Sequence, residues 1–420
     1  MSWRETNVGE FVSIKHGFAF KSKDFSDAGS HIVLTPGNCH NDGGFKSKGD
    51  KEKWFTGEVP PDYLLSEGDL IVVMTDLVQS APVLGGSFKI PENDKFLHNQ
   101  RLGLVQIKDD ADIHPDFLYH MFNTHGYRGQ VRGSASGATV RHTSPGRILD
   151  CSIKVPDLPT QERIAGVLSA YDDLIETNRR RIALLEQAAR LLYREWFVHF
   201  RFPGYETVKF VDGLPEGWTH ELLSDLCTEG DGIQTGPFGS QLHQSDYTDE
   251  GVPVVMPKDM KSGKVDCDGI ARIPEALADK LGRHRMLPGD TVFGRRGEIG
   301  RKAFIGENHR GFFCGTGCLR IRPIAEKIDP RYLFETLGSP ATAGFIVNQA
   351  KGSTMPNLSA GALKNVPILC PPDDIQADYV QKSAPIFEQV EILDRKNVQL
   401  AKARDLLLPR LMDGRLSIPE

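Results

Sequence analysis

Two copies of one heptad pattern constrain the fold of this chain more than any other feature. In the first copy, between Leu158 and Phe197, one stripe of residues is spaced alternately by four and three positions, which predicts a coiled-coil helix. The stripe consists of Ile164, Leu168, Tyr171, Ile175, Asn178, Ile182, Leu185, Ala189, Leu192 and Trp196. At about 1.5 Å per residue it extends for roughly 48 Å. Such a helix needs a partner, because a long apolar stripe is unstable in water.

The sequence predicts where this helix starts and where its partner lies. Thr160 is the predicted N-cap, and Pro203-Gly204 is the predicted stop. A shift of 215 residues takes Ile175 to Val390, which locates a second copy of the pattern near the end of the chain.

The second copy is less regular. Ser383, Asn397 and Arg404 are polar residues on its stripe. Pro385 lacks a backbone N–H and is expected to kink or restart the helix. We therefore expect the second helix mainly between Ile386 and Leu407.

The repeat continues in the segments that precede each helix. His114-Pro115 aligns with Asp329-Pro330 at the shift of 215, and Gly68-Asp69 aligns with Gly289-Asp290 at 221. Short β runs separated by Gly, Asn, Asp and Pro predict strands at His31 to Leu34, Asp69 to Met74, Arg101 to Ile107, Val252 to Met256, Asp290 to Phe293 and Gly317 to Ile321. Short helices are predicted near Pro115 to Asn123 and Pro330 to Gly338.

These observations predict an α+β fold with an internal pseudo-two-fold repeat. Two mixed α/β domains are separated by two long helices, with limits at residues 1–157, 158–205, 206–369 and 370–420. The ends of a compact domain usually lie close together, so the helices are predicted to run antiparallel, with a domain at each end.

Antiparallel helices related by this symmetry have a predicted register. Asn178 and Asn397 are the two asparagines of the stripe, and pairing them satisfies the symmetry. A buried amide destabilises a helix pair unless it is hydrogen-bonded, whereas two facing amides satisfy each other. The alternative is that each asparagine binds water at a loose part of the stripe.

Composition excludes several classes of protein. With 420 residues, 39 % hydrophobic and 25 % charged, the chain has the balance of a soluble protein with about two to four domains. It contains neither a membrane-length apolar run nor signal-peptide features at its N-terminus, so a cytoplasmic location is expected. The net charge of −6 argues against general nucleic-acid binding but not against specific binding through local patches.

The cysteines do not predict a metal site. The chain has seven, without the spacing of a disulfide framework, which fits a reducing compartment. Cys314 and Cys318 lie near His309 in the sequence, but no second pair has zinc spacing. Buried thiols are the favoured interpretation.

Seven motifs carry a resemblance to a known family. They are GFAFKSKDF (17–25), GDLIVVMTD (68–76), LHNQRLG (97–103), GPFGSQLHQSDY (236–247), GDTVFGRRGEIGR (289–301), KGSTMPNLS (351–359) and the helical LPTQERIAGVLSAYDDLIETNRRRIALLEQAARLLYREWF. With them the chain resembles the specificity (S) subunit of type I restriction-modification systems over essentially its whole length. SGATVRHTS (136–144) departs from the pattern, because it lacks the Pro-Asn of its counterpart KGSTMPNLS.

The resemblance implies a function in a larger assembly. Two target recognition domains each read one half of a bipartite double-stranded DNA site, and the paired helices act as a ruler. Methyltransferase (M) subunits, expected to number two, dock on the S subunit, and restriction (R) subunits complete the nuclease. S-adenosylmethionine, ATP and Mg are expected in those partner subunits, and no cofactor is expected in this chain.

Polar residues of the motifs are the predicted DNA contacts. Lys and Arg bind phosphates, Asn and Gln pair with adenine, and Arg pairs with guanine in bidentate fashion. The candidates are Lys15, Lys21, Ser22, Lys23, His98, Asn99, Gln100 and Arg101 in the first domain, and Gln234, Ser240, Gln241, His243, Arg295, Arg296 and Arg301 in the second. Solvation of a polar loop explains any single one of them equally well.

An aromatic cluster ends the first helix. Tyr193, Trp196, Phe197 and Phe200 are the candidates for docking methyltransferase subunits, although a local core is the favoured interpretation.

Two other classes of protein are weighed against a recognition subunit. An adenine methyltransferase needs an Asn/Asp-Pro-Pro-Tyr/Phe loop, and Pro60-Pro61-Asp62-Tyr63 has the wrong order; a phosphate-binding GKT or GKS loop is also missing. A coiled-coil scaffold without a DNA role does not explain two copies of an elaborate domain. We therefore predict a non-catalytic DNA-recognition subunit.

Overall fold

The chain divides into two compact units. A computed structural model describes residues 3–267, 269–296, 299–350 and 357–418. Unit 1 comprises Met1–Arg181 and Ile392–Glu420, and unit 2 comprises Ile182–Glu391. Each unit mixes short strands with helices, so the predicted α+β class is confirmed. Among the described residues, no helix is both long enough and apolar enough to cross a membrane.

Unit 1 contains twelve strands in its described part. They are β1 (Arg4–Asn7), β2 (Val12–His16), β3 (Phe25–Ser26), β4 (His31–Val33), β5 (Trp54–Phe55), β6 (Leu70–Val73), β7 (Thr75–Asp76), β8 (Ser87–Lys89), β9 (Phe96–Leu97), β10 (Leu102–Ile107), β11 (Arg141–His142) and β12 (Ser152–Val155). Its short helices are α1 (Pro115–Phe122), α2 (His125–Ser134) and α3 (Pro145–Leu149).

A four-stranded antiparallel sheet, in the order β2-β10-β6-β8, forms the centre of unit 1. Val72 and Val105 project from this sheet toward Phe117 and Phe122 of α1, and all four side chains are buried. A second sheet has the order β3-β5-β4-β9, in which β4 and β9 are parallel. Two further strand pairs, β1 with β12 and β7 with β11, complete the unit.

Unit 2 contains the following strands in its described part: β13 (Phe210–Val211), β14 (Leu214–Pro215), β15 (Thr219–Leu222), β16 (Ile233–Thr235), β17 (Val252–Val255), β18 (Met260–Lys261), β19 (Lys264–Val265), β20 (Arg272–Ile273), β21 (Thr291–Gly294), β22 (Lys302–Phe304), β23 (Phe313–Cys314), β24 (Cys318–Ile321) and β25 (Pro367–Cys370). Its short helices are α5 (Glu275–Lys280), α6 (Pro330–Leu337), α7 (Pro340–Gln349) and α8 (Ala360–Lys364).

Unit 2 repeats the central topology of unit 1. Its four-stranded antiparallel sheet has the order β16-β24-β21-β22, which matches β2-β10-β6-β8 strand for strand. The pair β15-β25 matches β1-β12, and the parallel pair β17-β23 matches β4-β9. Helices α6, α7 and α8 follow in the order of α1, α2 and α3. The sequence repeat therefore encodes one fold used twice.

Two 40-residue helices, α4 (Leu158–Phe197) and α9 (Asp373–Met412), each contribute residues to both units. The predicted N-cap of α4 and the predicted restart of α9 at Pro385 are both wrong. The backbone N–H of Thr160 donates to Asp157 Oδ1 at 3.0 Å, so Asp157 caps α4 and Thr160 lies in its first turn. Pro385 lies inside α9, which continues through it from Asp373, well before the predicted start at Ile386.

The helices run antiparallel within unit 1. Asp172 of α4 contacts Arg404 of α9, and Asn178 contacts Asn397, so residue numbers rise along one helix as they fall along the other. Asn178 Nδ2 donates to Asn397 Oδ1 at 2.9 Å. The two asparagines therefore lie at one level, which is the register that the sequence predicts.

A repeated glutamine joins the first turns of each long helix to the unit in which that helix begins. Gln161 Nε2 donates to Pro156 O at 2.9 Å, and its Oε1 accepts from the His114 N–H at 2.8 Å. Gln376 makes the equivalent bonds to Pro371 O at 2.8 Å and the Asp329 N–H at 3.2 Å. Both amides are buried.

Candidate nucleic-acid interface

One end of the four-stranded sheet of unit 1 collects most of its predicted DNA contacts. The sheet is antiparallel, so β2 and β6 finish at the end where β10 begins. The backbone N–H of Met74, just after β6, donates to Arg101 O at 3.0 Å, just before β10. Three motifs that are far apart in the sequence, 17–25, 68–76 and 97–103, therefore meet at this end.

Backbone pairing holds two of these motifs together. Phe18 forms a parallel bridge with Asn99, in which the Phe18 N–H donates to His98 O at 2.8 Å and the Gln100 N–H donates to Phe18 O at 3.0 Å. A Cβ on Gly17 would lie 2.1 Å from Asn99 O, which is closer than any side chain tolerates. Only glycine fits at position 17.

Most of the unit 1 candidates are accessible at this end. Gln100 and Arg101 are exposed, as are Lys21, Ser22 and Lys23, whereas Lys15 and Asn99 are half-buried. Lys15 Nζ donates to Asp62 O at 2.6 Å and lies 4.8 Å from the centre of the Tyr63 ring. The Lys15 ammonium group is thus held by unit 1 itself.

His98 is a correction to the predicted set. Its side chain is fully buried, with Nε2 2.9 Å from Leu102 O. Burial lowers its pKa to about 4, against the opposing effect of the Leu102 carbonyl. His98 therefore supports the turn that presents Asn99 to Arg101 and does not face solvent.

The structure adds a group that the sequence prediction missed. Strand β7, directly after β6, pairs with β11, and Thr75 Oγ1 lies 3.0 Å from His142 Nδ1. Leu77 and Val78 follow β7 and are exposed. The signals in the sequence are that the motif GDLIVVMTD ends at Asp76 and that SGATVRHTS has KGSTMPNLS as its counterpart in the repeat.

Unit 2 builds the equivalent end of its sheet. The Gly236 N–H, after β16, donates to Cys318 O at 2.9 Å, and the Arg295 N–H, after β21, donates to Gly317 O at 3.0 Å. Arg296 forms an antiparallel bridge with Asn357, as Thr75 pairs with His142 in unit 1. The motif residues 297–298 and 351–356 lie outside the described part of the chain.

The two neighbouring arginines differ in exposure. Arg295 is 7 % exposed, and its Nε and Nη2 lie 3.4 Å from Asn357 Oδ1. Burial, followed by the charge of Arg296, lowers the pKa of Arg295. Arg296 is exposed. Arg296 is thus available for a direct contact, whereas Arg295 needs a side-chain movement to reach a ligand.

The remaining unit 2 candidates are spread over the same loops. Ser240 and His243 are exposed. Gln241 is half-buried and accepts from the Phe238 N–H at 3.3 Å, and half-buried Arg301 donates to Pro257 O at 3.3 Å. Gln234, on β16, is half-buried with its Oε1 turned inward.

The aromatic cluster at the end of α4 is core, which corrects its prediction as a docking patch. Tyr193, Trp196 and Phe197 are buried in unit 2. Phe197 lies 4.7 Å from Tyr332, measured between ring centres, and Tyr193 Oη donates to Thr336 Oγ1 at 3.1 Å. Half-buried Phe200 packs edge-on against Trp218. These rings join α4 to α6 and leave little surface for a partner.

The buried thiols of Cys314 and Cys318 belong to the interior of unit 2. Burial raises the pKa of Cys314 to about 12, which disfavours the thiolate that metals bind. In the described ranges, no group of three or more His, Cys, Asp or Glu side chains is arranged to hold a metal ion.

Comparison with known families gives two matches in this chain. Residues 2–187 and 217–402 each match the type I restriction modification DNA specificity domain. Both limits of the two matches differ by 215 residues, which is the shift of the sequence repeat.

Curated relatives and a solved structure resemble this chain over 73 to 99 % of its length. The specificity subunit of the EcoBI type I restriction enzyme of Escherichia coli is 23 % identical over 99 % of this chain and 86 % of its own length. The MjaIX specificity subunit of Methanocaldococcus jannaschii is 26 % identical over 73 % of this chain and 70 % of its own. The fold resembles that of a type I S subunit from M. genitalium, with a TM-score of 0.56, 13 % identity, and coverage of 98 % of this chain and 96 % of that one.

Proposed function

Because the chain belongs to the type I restriction-modification DNA specificity family, we propose that it reads a bipartite double-stranded DNA site, one half-site per unit. The surface in each unit is the end of the four-stranded sheet where β2 and β6, or β16 and β21, finish. Catalysis belongs to other subunits in this proposal.

One observation carries the proposal. The two units share a fold but present different side chains at the equivalent end of the sheet. Unit 1 offers Asn99, Gln100 and Arg101, whereas unit 2 exposes Arg296, with Arg295 next to it in the chain and nearly buried. An amide pairs best with adenine and an arginine with guanine, so equivalent surfaces of this kind suit two different half-sites.

The proposal includes partner subunits. Methyltransferase subunits, expected to number two, supply the S-adenosylmethionine site, and restriction subunits supply ATP- and Mg-dependent cleavage. The role of this chain is to place them on a chosen sequence.

The test changes Arg295 and Arg296 to alanine and determines the methylated positions by sequencing DNA from a host that makes the chain with its methyltransferase. We expect wild type to yield one bipartite motif and the double variant to relax or lose one half only. Each lost bidentate contact corresponds to about 1 to 3 kcal/mol.

Arg310→Ala is the matched control. Arg310 is an exposed arginine of unit 2 that pairs with Glu307, and it follows β22 at the opposite end of the sheet, where Phe304 faces Thr291. Its motif should equal that of wild type. A contiguous methylated motif in wild type contradicts the proposed bipartite reading. Equally weakened methylation of all sequences in the double variant contradicts the reading of one half-site by these arginines.

A further inference from the structure

Two aliphatic side chains are exposed at the end of the unit 1 sheet that forms the candidate interface. Leu77 is 56 % exposed and Val78 is 49 % exposed, directly after β7. Adjacent exposed aliphatic residues on a functional surface indicate a contact with a ligand, because their exposure to water is otherwise unfavourable.

The loop that carries them is held in place by its own hydrogen bonds. The carboxylate of Asp76 is buried and accepts from the Val78 N–H at 3.1 Å and from the Val83 N–H at 2.8 Å. Ala81 closes the loop with a positive φ of 49°. Leu77 and Val78 are therefore presented in a defined conformation before any ligand binds.

Two arginines belong to the strand pair that carries this apolar tip or to the residues bonded to it. Arg141 lies directly opposite Asp76 in the β7-β11 pair and donates through Nη2 to Arg132 O at 2.9 Å. Arg147 Nη1 donates to Ser136 Oγ at 3.2 Å, and Ser136 pairs with His142. The one carboxylate of the strand pair, that of Asp76, is turned inward. An apolar tip next to basic side chains suits a polyanion with apolar groups, which describes duplex DNA.

The equivalent position in unit 2 favours DNA over a protein partner. There the residue paired with Asn357 is Arg296, in place of Thr75. A protein that bound both units alike would meet a threonine at this position in one unit and an arginine in the other. Two half-sites of different sequence would meet a suitable surface in each.

We propose that Leu77 and Val78 read thymine through its C5-methyl group in the major groove. Apolar side chains recognise thymine in this way, because the methyl group is the one apolar feature of the groove. Unit 1 thus selects an A·T pair within its half-site. This inference rests on the proposed DNA reading by the same surface.

The test uses the assembled complex with its methyltransferase subunits and a duplex of the sequence found to be methylated. Each thymine of both half-sites is replaced singly by deoxyuridine, which removes the methyl group and keeps base pairing. We expect at least one replacement, confined to one half-site, to weaken binding about fourfold, as expected for one buried methyl group.

Two variants connect that effect to the loop. The double variant Leu77→Ala, Val78→Ala should bind the thymine and deoxyuridine duplexes equally. Leu287→Ala removes an exposed leucine that precedes β21 at the other end of the unit 2 sheet, and it should keep the wild-type preference for thymine.

The outcomes separate this inference from the proposed function. If specific binding persists but no deoxyuridine replacement weakens it, the thymine contact is refuted. It is also refuted if one half-site lacks A·T pairs and the effect of deoxyuridine in the other half-site persists in the double variant. The same holds if the double variant loses methyltransferase subunits on size-exclusion chromatography while still distinguishing thymine from deoxyuridine. If the wild-type complex shows no sequence preference at all, the proposed function itself fails.

Discussion

The imidazole of His98 lies inside unit 1 although Gln100 and Arg101 of the same motif face solvent. Its Nε2 is 2.9 Å from Leu102 O, a geometry that requires a proton on this nitrogen. Burial lowers the pKa to about 4, so the ring is neutral near pH 7. The residue supports a loop that presents other side chains.

The low pKa predicts an acid-sensitive unit 1. The unfolded chain, with a histidine pKa of about 6.5, binds this proton more readily than the folded chain, so stability falls as the pH drops from about 6.5 to about 4. In His98→Gln, which keeps a donor for Leu102 O, the loss of unfolding free energy between about pH 7 and 4.5 should be smaller by about 2 to 3 kcal/mol.

Urea unfolding at the two pH values measures this difference. His16→Gln is the control, because His16 is an exposed histidine at the end of the adjacent strand β2. An unchanged pH dependence in His98→Gln would show that His98 does not contribute to the acid sensitivity.

At the scale of elements, hydrogen bonds and ion pairs within unit 1 join the two long helices. The bond between Asn178 and Asn397 is 2.9 Å long. Arg404, an irregularity in the predicted stripe, binds Asp172 of α4 at 2.7 Å and Asp42 at 2.6 Å. These charged partners hold its guanidinium protonated and raise its pKa despite the opposing effect of burial. Polar residues in the stripe thus define how the helices align.

The asparagine pair predicts a non-additive double-mutant cycle. Asn178→Leu or Asn397→Leu alone leaves one amide without its partner and should destabilise unit 1 by about 1 to 3 kcal/mol. The double variant replaces both amides with apolar groups and should be less destabilised than the sum of the single variants.

Chemical unfolding of the four proteins measures the coupling. Thr177→Leu, at the exposed neighbouring position of α4, serves as the control for introducing leucine into this helix. Additive effects of the two single changes would mean that the asparagines do not stabilise each other.

At the scale of the whole molecule, one topology occurs twice with two different polar surfaces. The four-stranded sheets agree in strand order, and Gln161 and Gln376 make the same bonds at the starts of α4 and α9. The loops at the sheet ends differ in nearly every candidate residue. The strand order and the glutamine bonds are thus the same in both units, while the side chains at the sheet ends differ, as a recognition subunit requires.

A recognition subunit should have no catalytic activity by itself. We expect the purified chain neither to transfer a methyl group from S-adenosylmethionine to DNA nor to cleave DNA, whereas the same preparation with its methyltransferase subunits should methylate. Incorporation of labelled methyl groups measures the first activity, and gel analysis of plasmid DNA measures the second. Methyl transfer or DNA cleavage that co-elutes with the pure chain would instead support a single-chain enzyme.

The sequence by itself determined the class of fold, its duplication, the central strands and the alignment of the helices. These features depend on local or periodic signals: turn residues, a heptad stripe, and the symmetry that pairs Asn178 with Asn397. Each signal is complete within a short segment, or between two copies of one, so it can be read without tertiary contacts.

Only the tertiary structure decided which side chains are exposed. His98 and Trp196 are buried, Arg404 is neutralised by Asp42 from a distant loop, and Leu77 is exposed next to β11. Pro385 is accepted within α9 although its local preference is to interrupt a helix. Burial results from the packing of segments that are far apart in the chain. The residue types in one motif therefore cannot tell which of them faces the core and which faces a ligand.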